Sequence, residues 1–280
     1  MHVLLDSVAL STQASPLSLT LSAGGSLAIM GRPGSGKTHF LEVLVRRKRA
    51  PRGAVRLDAP VCTAGNVAMD RRSTPQSIAT ELVGRRATEK IAEALTRLGL
   101  WEVRRSSVTG LSPGFRAAAD LLAIFLADPG VLVIDGHLDL LDPWNLESVL
   151  EGLAMRCQRG SSLVLTTARP DIAERCERLL VLASQRVVFC GTHAELNARF
   201  GPIVVEVQTN DSALVRQAVR PFQVRAVTQA EGTVRFEAEA GQAVVASLLR
   251  DGYGVVQSVT TRQRSFAEIL SQLDRDTMVR

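Results

Sequence analysis

Gly31-Arg-Pro-Gly-Ser-Gly-Lys-Thr38 is the stretch on which the reading of this chain turns. Ser26–Met30 before it is a short apolar run, as in a buried strand, and Phe40–Val45 after it has a helical pattern. Strand, glycine-rich turn and helix in that order are the context in which G-x-x-x-x-G-K-[ST] cradles the phosphates of a nucleotide. Gly31, Gly34 and Gly36 let the backbone bend so that successive N–H groups face phosphate oxygens, and the helix adds its positive N-terminal end. The candidate nucleotide-binding residues are therefore Gly31, Arg32, Pro33, Gly34, Ser35, Gly36, Lys37 and Thr38, with His39 beside them as a local contact. Lys37 is expected to reach the β- and γ-phosphates, and the Thr38 hydroxyl to hold Mg²⁺.

Composition narrows the possibilities. The 280 residues are 46% hydrophobic and 22% charged, an ordinary globular balance for one large or two modest domains. The longest apolar run, Leu121–Ala127, is about a third of what crosses a bilayer. The N-terminus lacks a signal-peptide pattern, so a cytoplasmic chain is expected. Cys62, Cys157, Cys176 and Cys190 are scattered without metal-type spacing and read as reduced thiols. Net charge is +5, much of it in Arg46-Arg-Lys-Arg49 and Arg52. Such a run at a helix end is usually solvated and offsets the negative pole. With one Tyr and two Trp there is no stacking platform for single strands, so nucleic acid is not an expected partner.

Taken in order, Val3–Leu5, Leu17–Leu21 and Ser26–Met30 read as strands separated by turn-rich segments, and Ala54–Leu57 as another. Ile78, Leu82, Ile91, Leu95 and Leu98 give residues 75–105 helical periodicity. Val131–Ile134, wholly apolar, and Leu163–Thr167, apolar in its first three residues, read as buried parallel strands, with a helix between them at Leu146–Cys157. Alternating strands and helices predict a parallel α/β sheet for residues 1–200. Past Phe200-Gly-Pro202 the order becomes strand (Ile203–Val207), helix (Asp211–Val219), strand (Gln223–Thr228), strand (Thr233–Ala238), helix (Gly241–Arg250), strand (Gly254–Thr260). That β-α-β-β-α-β order predicts a ferredoxin-like domain, followed by a last helix at Ser265–Leu273.

Leu111-Ser-Pro-Gly-Phe-Arg116, Leu126-Ala-Asp-Pro129, Val131-Leu-Val-Ile-Asp135 and Leu141-Asp-Pro143 resemble the ATPase subunits of ABC transporters. The likeness continues through Thr166–Asp171, Val187–Thr192 and Glu195-Leu196, and so covers residues 1–200. The tail, ending in Ser265-Phe-Ala-Glu-Ile-Leu270, is similar to small C-terminal domains on type-two exporters. The resemblance implies an α/β P-loop NTPase domain at 1–201 with an ABC-type helical subdomain at about 70–125, then a small α+β, ferredoxin-like domain at 202–280. It implies ATP and Mg²⁺ as cofactors, the metal on Thr38 and Asp135. It further implies a signature contact from Ser112 and Gly114 to a partner's ATP, and a D-loop carboxylate, Asp142, reaching across a dimer.

Several family positions are altered. Gly136 stands where a water-polarising glutamate is usual, Ala168 where the switch histidine is, and Met69-Asp70 where the Q-loop glutamine is. Gln76 lies too far along to replace the last. Leu10-Ser11-Thr12 offers no aromatic for adenine, and Pro113 and Phe115 alter the signature. General-base catalysis contributes about 10²–10⁴-fold, so loss of the glutamate alone should nearly silence hydrolysis. His137, Asp139 and Arg169 are the neighbours that could substitute. No catalytic residue is assigned. The expectation is a degenerate, peripheral subunit on the cytoplasmic face of the membrane. It would pair with a second, competent ATPase subunit and with polytopic membrane subunits near residues 70–125. The alternatives are an active homodimer or a soluble ATP-dependent scaffold.

Overall fold

A computed structural model describes residues 2–66, 70, 72–200, 203–238, 241–251, 254–270 and 273. The chain forms two compact units, Met1–His193 and Ala194–Arg280.

The first unit begins with β1 (Val3–Ala9), β2 (Leu17–Leu21), β3 (Ser26–Met30), α1 (Lys37–Leu44), β4 (Arg52–Leu57) and β5 (Val61–Thr63). Four helices follow: α2 (Pro75–Val83), α3 (Thr88–Arg97), α4 (Pro113–Asp120) and α5 (Leu122–Leu126). Then come β6 (Val131–Asp135), α6 (Pro143–Gln158), β7 (Ser162–Thr166), α7 (Pro170–Ala173), β8 (Arg178–Ala183) and β9 (Arg186–Thr192), and α8 (His193–Phe200) starts at the last residue of this unit and runs into the second. Six strands form one sheet in the order β5-β6-β7-β3-β8-β9. All neighbours in it are parallel except β9, which returns antiparallel beside β8. Leu27, Ala28 and Ile29 of β3 and Val131–Ile134 of β6 are fully buried, as strands covered on both faces must be.

The expectation of one parallel sheet through residues 1–200 is corrected here. β1, β2 and β4 form a separate antiparallel sheet in the order β2-β1-β4. The reason is legible in burial: β2 alternates buried and exposed residues, the period-two mark of a strand with one face in water. A bulge at Ser7, whose φ is +52°, shifts the register of β1 against both partners. The two sheets meet in a common core in which Leu5, Leu19 and Leu21 pack with Leu27, Phe40 and Leu180.

In the helical stretch, Thr74 and Ser77 exchange a capping box at the start of α2, and Pro75 occupies its first turn. α3 buries Ile91, Ala94 and Leu95, the three- and four-residue spacing of an amphipathic face.

The second unit contains β10 (Ile203–Thr209), α9 (Ser212–Val219), β11 (Val224–Ala230), β12 (Thr233–Ala238), α10 (Gly241–Asp251) and β13 (Val256–Gln263). This is the β-α-β-β-α-β order expected from the sequence. Its sheet runs β11-β12-β10-β13, antiparallel throughout. Val205, Val207, Val234 and Phe236 pack against Val215 and Val219 of α9 and Val244 and Leu248 of α10. Residues 266–270 are helical, and Phe266, Ile269 and Leu273 are buried.

Candidate functional site

β3 delivers the glycine-rich loop, and α1 begins at Lys37, at the loop's far end. Gly31 is indispensable in this geometry. Its φ is +152°, and a Cβ there would lie 2.3 Å from the Leu182 carbonyl oxygen and 2.4 Å from Ser35 Oγ. The β8–β9 turn closes on the loop: the Gln185 N–H donates to the Ser35 carbonyl at 2.9 Å. Ser35 is buried, and its hydroxyl has no hydrogen-bond partner. Arg32, Pro33, Gly34 and Thr38 are exposed, and His39 lies 3.9 Å from Glu42 along α1, a local contact as expected.

The Lys37 ammonium folds back over the loop and donates to the carbonyls of Gly31 at 2.6 Å and Arg32 at 3.0 Å. Burial lowers its pKa, while the charges of Asp135 and Asp139 oppose that shift. Asp135 ends β6, in register with Thr166 of neighbouring β7, whose hydroxyl donates to Asp135 Oδ1 at 2.5 Å. Loop, lysine and strand-end carboxylate therefore lie together at the C-terminal ends of the central strands, where a phosphate chain and a divalent cation would be held. Mg²⁺ commonly takes one or two protein oxygens and completes its shell with phosphate and water, so Thr38 and Asp135 are a fitting pair of ligands.

The groups that would activate water are placed differently. Gly136 has φ +71°, and no atom lies within 4 Å of where its Cβ would be. Asp139 lies in a 3₁₀ turn, His137–Leu140, and both of its carboxylate oxygens are engaged. One accepts from the Thr167 hydroxyl, and the other from the Ala168 N–H at 2.8 Å. Thr167 Oγ1 in turn accepts from the Arg169 N–H at 3.0 Å, and the Arg169 guanidinium pairs with Asp171 at 2.6 Å. His137 turns its Nε2 toward Asp120, 3.5 Å away, and its Nδ1 is buried without a partner. A carboxylate with both oxygens occupied is a poor proton acceptor, and an imidazole nitrogen buried away from water cannot take a proton from it.

Ser112 caps α4, accepting from the Phe115 N–H at 3.4 Å, with Pro113 in the first turn. A Cβ on Gly114 would come 3.0 Å from the Leu140 carbonyl, so that turn packs directly on the 137–140 turn. Asp142 caps α6, accepting from the N–H groups of Trp144 and Asn145 and from the Asn145 amide. Within this chain its carboxylate is occupied by the helix it begins. Leu10 is buried and Thr12 exposed, with no aromatic between them. Met69 lies outside the described residues.

Sequence reasoning missed two features here: the Asp139 tether to residues 167–168, and the packing of the Ser184–Gln185 turn on the loop. Both join residues far apart in the chain and leave no local signal. Among the described residues, no helix is long and apolar enough to cross a membrane.

Residues 14–138 match the family model described as "ABC transporter". The chain is similar to the methionine import ATP-binding protein MetN 1 of Pseudomonas putida, 25% identical over 207 residues, covering 65% of this chain. It spans 62% of that relative's length. It is also similar to the daunorubicin resistance ATP-binding protein DrrA3 of Streptomyces coeruleorubidus, 27% identical over 290 residues, covering 93% of this chain and 90% of that one. A solved ATP-binding subunit of an ABC transporter superposes with TM-score 0.62 at 18% identity, covering 71% of this chain and 93% of the other. The fold of the first unit is therefore the α/β P-loop fold of ABC ATPases.

Proposed function

Residues 14–138 carry an ABC transporter domain, and from that premise we propose that the chain is a transporter's ATP-binding subunit that holds Mg-ATP and hydrolyses it slowly or not at all. Lys37 would leave the Gly31 and Arg32 carbonyls for the phosphates. Loop N–H groups and the α1 N-terminus would bind phosphate oxygens, and Thr38 with Asp135 would hold the metal. The bound Mg²⁺ would supply charge neutralisation between the phosphates. Ser112 and Gly114 would contribute a weakened contact to ATP on a partner subunit, since Pro113 has no N–H to donate.

One observation carries the reading: no side chain at the end of β6 is free to take a proton from water. Gly136 has none, Asp139 is tethered by two donors, and the unpartnered nitrogen of His137, Nδ1, is buried away from water. With the switch position filled by Ala168, a second contact to the γ-phosphate is missing. A homodimer would combine these defects with an altered signature in both of its sites. The partner proposed is therefore a second ATPase subunit with an intact glutamate and histidine, docked with it on membrane subunits through the α2–α5 region. Export is the proposed direction. It is supported by the tail's likeness to type-two exporters and by the match of 93% of the chain to a daunorubicin resistance ATP-binding protein.

The deciding experiment measures ATP binding and turnover on the purified chain, alone and with the partner subunit. Saturable Mg-ATP binding with turnover well below about 1 s⁻¹ alone, the low end of ordinary enzyme rates, is expected. Turnover at or above that rate by the chain alone would sink the proposal, and so would failure to bind ATP.

A further inference from the structure

A second cationic site lies away from the phosphate loop, between α3 and α6. A pocket of about 170 Å³ is lined there by Lys90 and Arg97 of α3, Met155 and Arg156 of α6, Arg159 just beyond α6, and Phe125 of α5. Four cations face the cavity against one lining carboxylate, Glu93, which is 72% exposed and sits 3.5 Å from Arg97. Arg156 is largely buried and donates to the Phe125 and Ala127 carbonyls at the end of α5. Its acidic neighbour, Asp128, is 94% exposed at 3.4 Å and screens it weakly. Lys90 and Arg159 have no carboxylate within ion-pair distance among the described residues, which leaves their donors available. The floor is apolar, built from Phe125, Met155 and Ala94.

Burial lowers the Arg156 pKa, and Arg159 pushes it the same way against the opposing charge of Asp128. Bringing these guanidinium groups together without a matching anion is unfavourable, because like charges in a partly desolvated pocket repel. A bound anion would remove that penalty. Arg97 is held by Glu93 and the Ser148 carbonyl and Arg156 by the α5 carbonyls, so the two cations left for a ligand, Lys90 and Arg159, match a dianion better than a monoanion, and an aromatic and thioether floor suits a ligand with an apolar body.

We propose that this pocket binds a small phosphate monoester with an apolar substituent, its phosphate between Lys90 and Arg159 and its body on Phe125 and Met155. The site is independent of the nucleotide loop. The ligand is either a free metabolite-sized monoester or the headgroup of an acidic lipid.

Phenyl phosphate titrated into the full-length chain, followed by ³¹P NMR and by thermal shift, tests the first source. Vesicles of phosphatidylcholine with phosphatidic acid, followed by co-sedimentation, test the second. Lys90→Gln/Arg159→Gln is expected to weaken binding of whichever probe is taken up by about tenfold or more, the loss of two charge-assisted contacts. Both side chains are exposed, so the variant should fold, and its ATP binding should be unchanged. Lys37→Ala should have the reverse effect, losing ATP and keeping the monoester. Binding of neither probe, or binding that the double substitution leaves intact, would overturn the site.

Discussion

At Gly136 the backbone adopts a left-handed conformation that costs a side-chain-bearing residue about 1–2 kcal/mol, but open space surrounds it. Gly136→Glu is therefore expected to fold, slightly destabilised. Combined with Ala168→His, it should raise single-turnover hydrolysis by at least tenfold, part of the 10²–10⁴ or so that a general base supplies. No gain by quench-flow would mean that the site has diverged beyond these two positions. Lys37→Ala removes the cation between loop and phosphate and is expected to weaken ATP binding by tenfold or more in a fluorescent-nucleotide titration. Cys176 gives a test unrelated to nucleotide. Burial, then the neighbouring Cys157, push its thiol up to about 12, so it remains protonated at pH 8. A maleimide should spare it in the folded chain and label it after denaturation. At this scale the strand, eight-residue loop and helix were legible because the glycines that shape the turn are local in sequence. The engagement of Asp139 was not, because its two donors lie 28 and 29 residues further on.

Among the elements, α6 shows how one side chain serves its own helix. Asp142 caps 16 residues by accepting two backbone N–H groups, and Asp142→Ala is expected to cost about 1 kcal/mol. For a unit of this size that lowers Tm by about 2–4 °C in calorimetry. An unchanged Tm would show that the cap contributes nothing here. Strands β6 and β7 were readable as buried because their short apolar runs, Val131–Ile134 and Leu163–Leu165, suit a strand covered on both faces. β5 spans three residues, too few to carry a periodic signal. The separate antiparallel sheet was hidden for another reason. The pairing of β1 with β4, Val3 opposite Leu57, is fixed by distant residues and by the bulge at Ser7, and neither marks the sequence of β1 alone.

On the scale of the whole molecule, the two units differ in what holds them. The first rests on an extensive apolar core. The second adds to its own core a charged cluster in which Glu268 is bonded to Arg262 and Arg235 and to the Ser265 N–H. The hydrogen bond from Arg262, chiefly, holds the Glu268 carboxyl well below the usual range. A depressed folded-state pKa contributes stability above the unfolded value of 4.5, and that contribution is lost as pH falls below it. Acidification below about pH 4.5 should thus destabilise the second unit, and Glu268→Gln should flatten that part of its pH–stability curve in denaturant titrations. A curve of the same shape in the variant would remove Glu268 from the explanation. The order of the central sheet has a further consequence. β3, β7 and β6 are adjacent, yet Met30 at the end of β3 stands more than a hundred residues before Asp135 and Thr166 at the ends of the other two. No fragment ending before β7 can align them. On the proposed function, nucleotide capture would therefore report that β7 has been made and has joined the sheet, and a nascent chain stalled ahead of Ser162 is expected to carry the intact glycine motif yet remain blind to ATP.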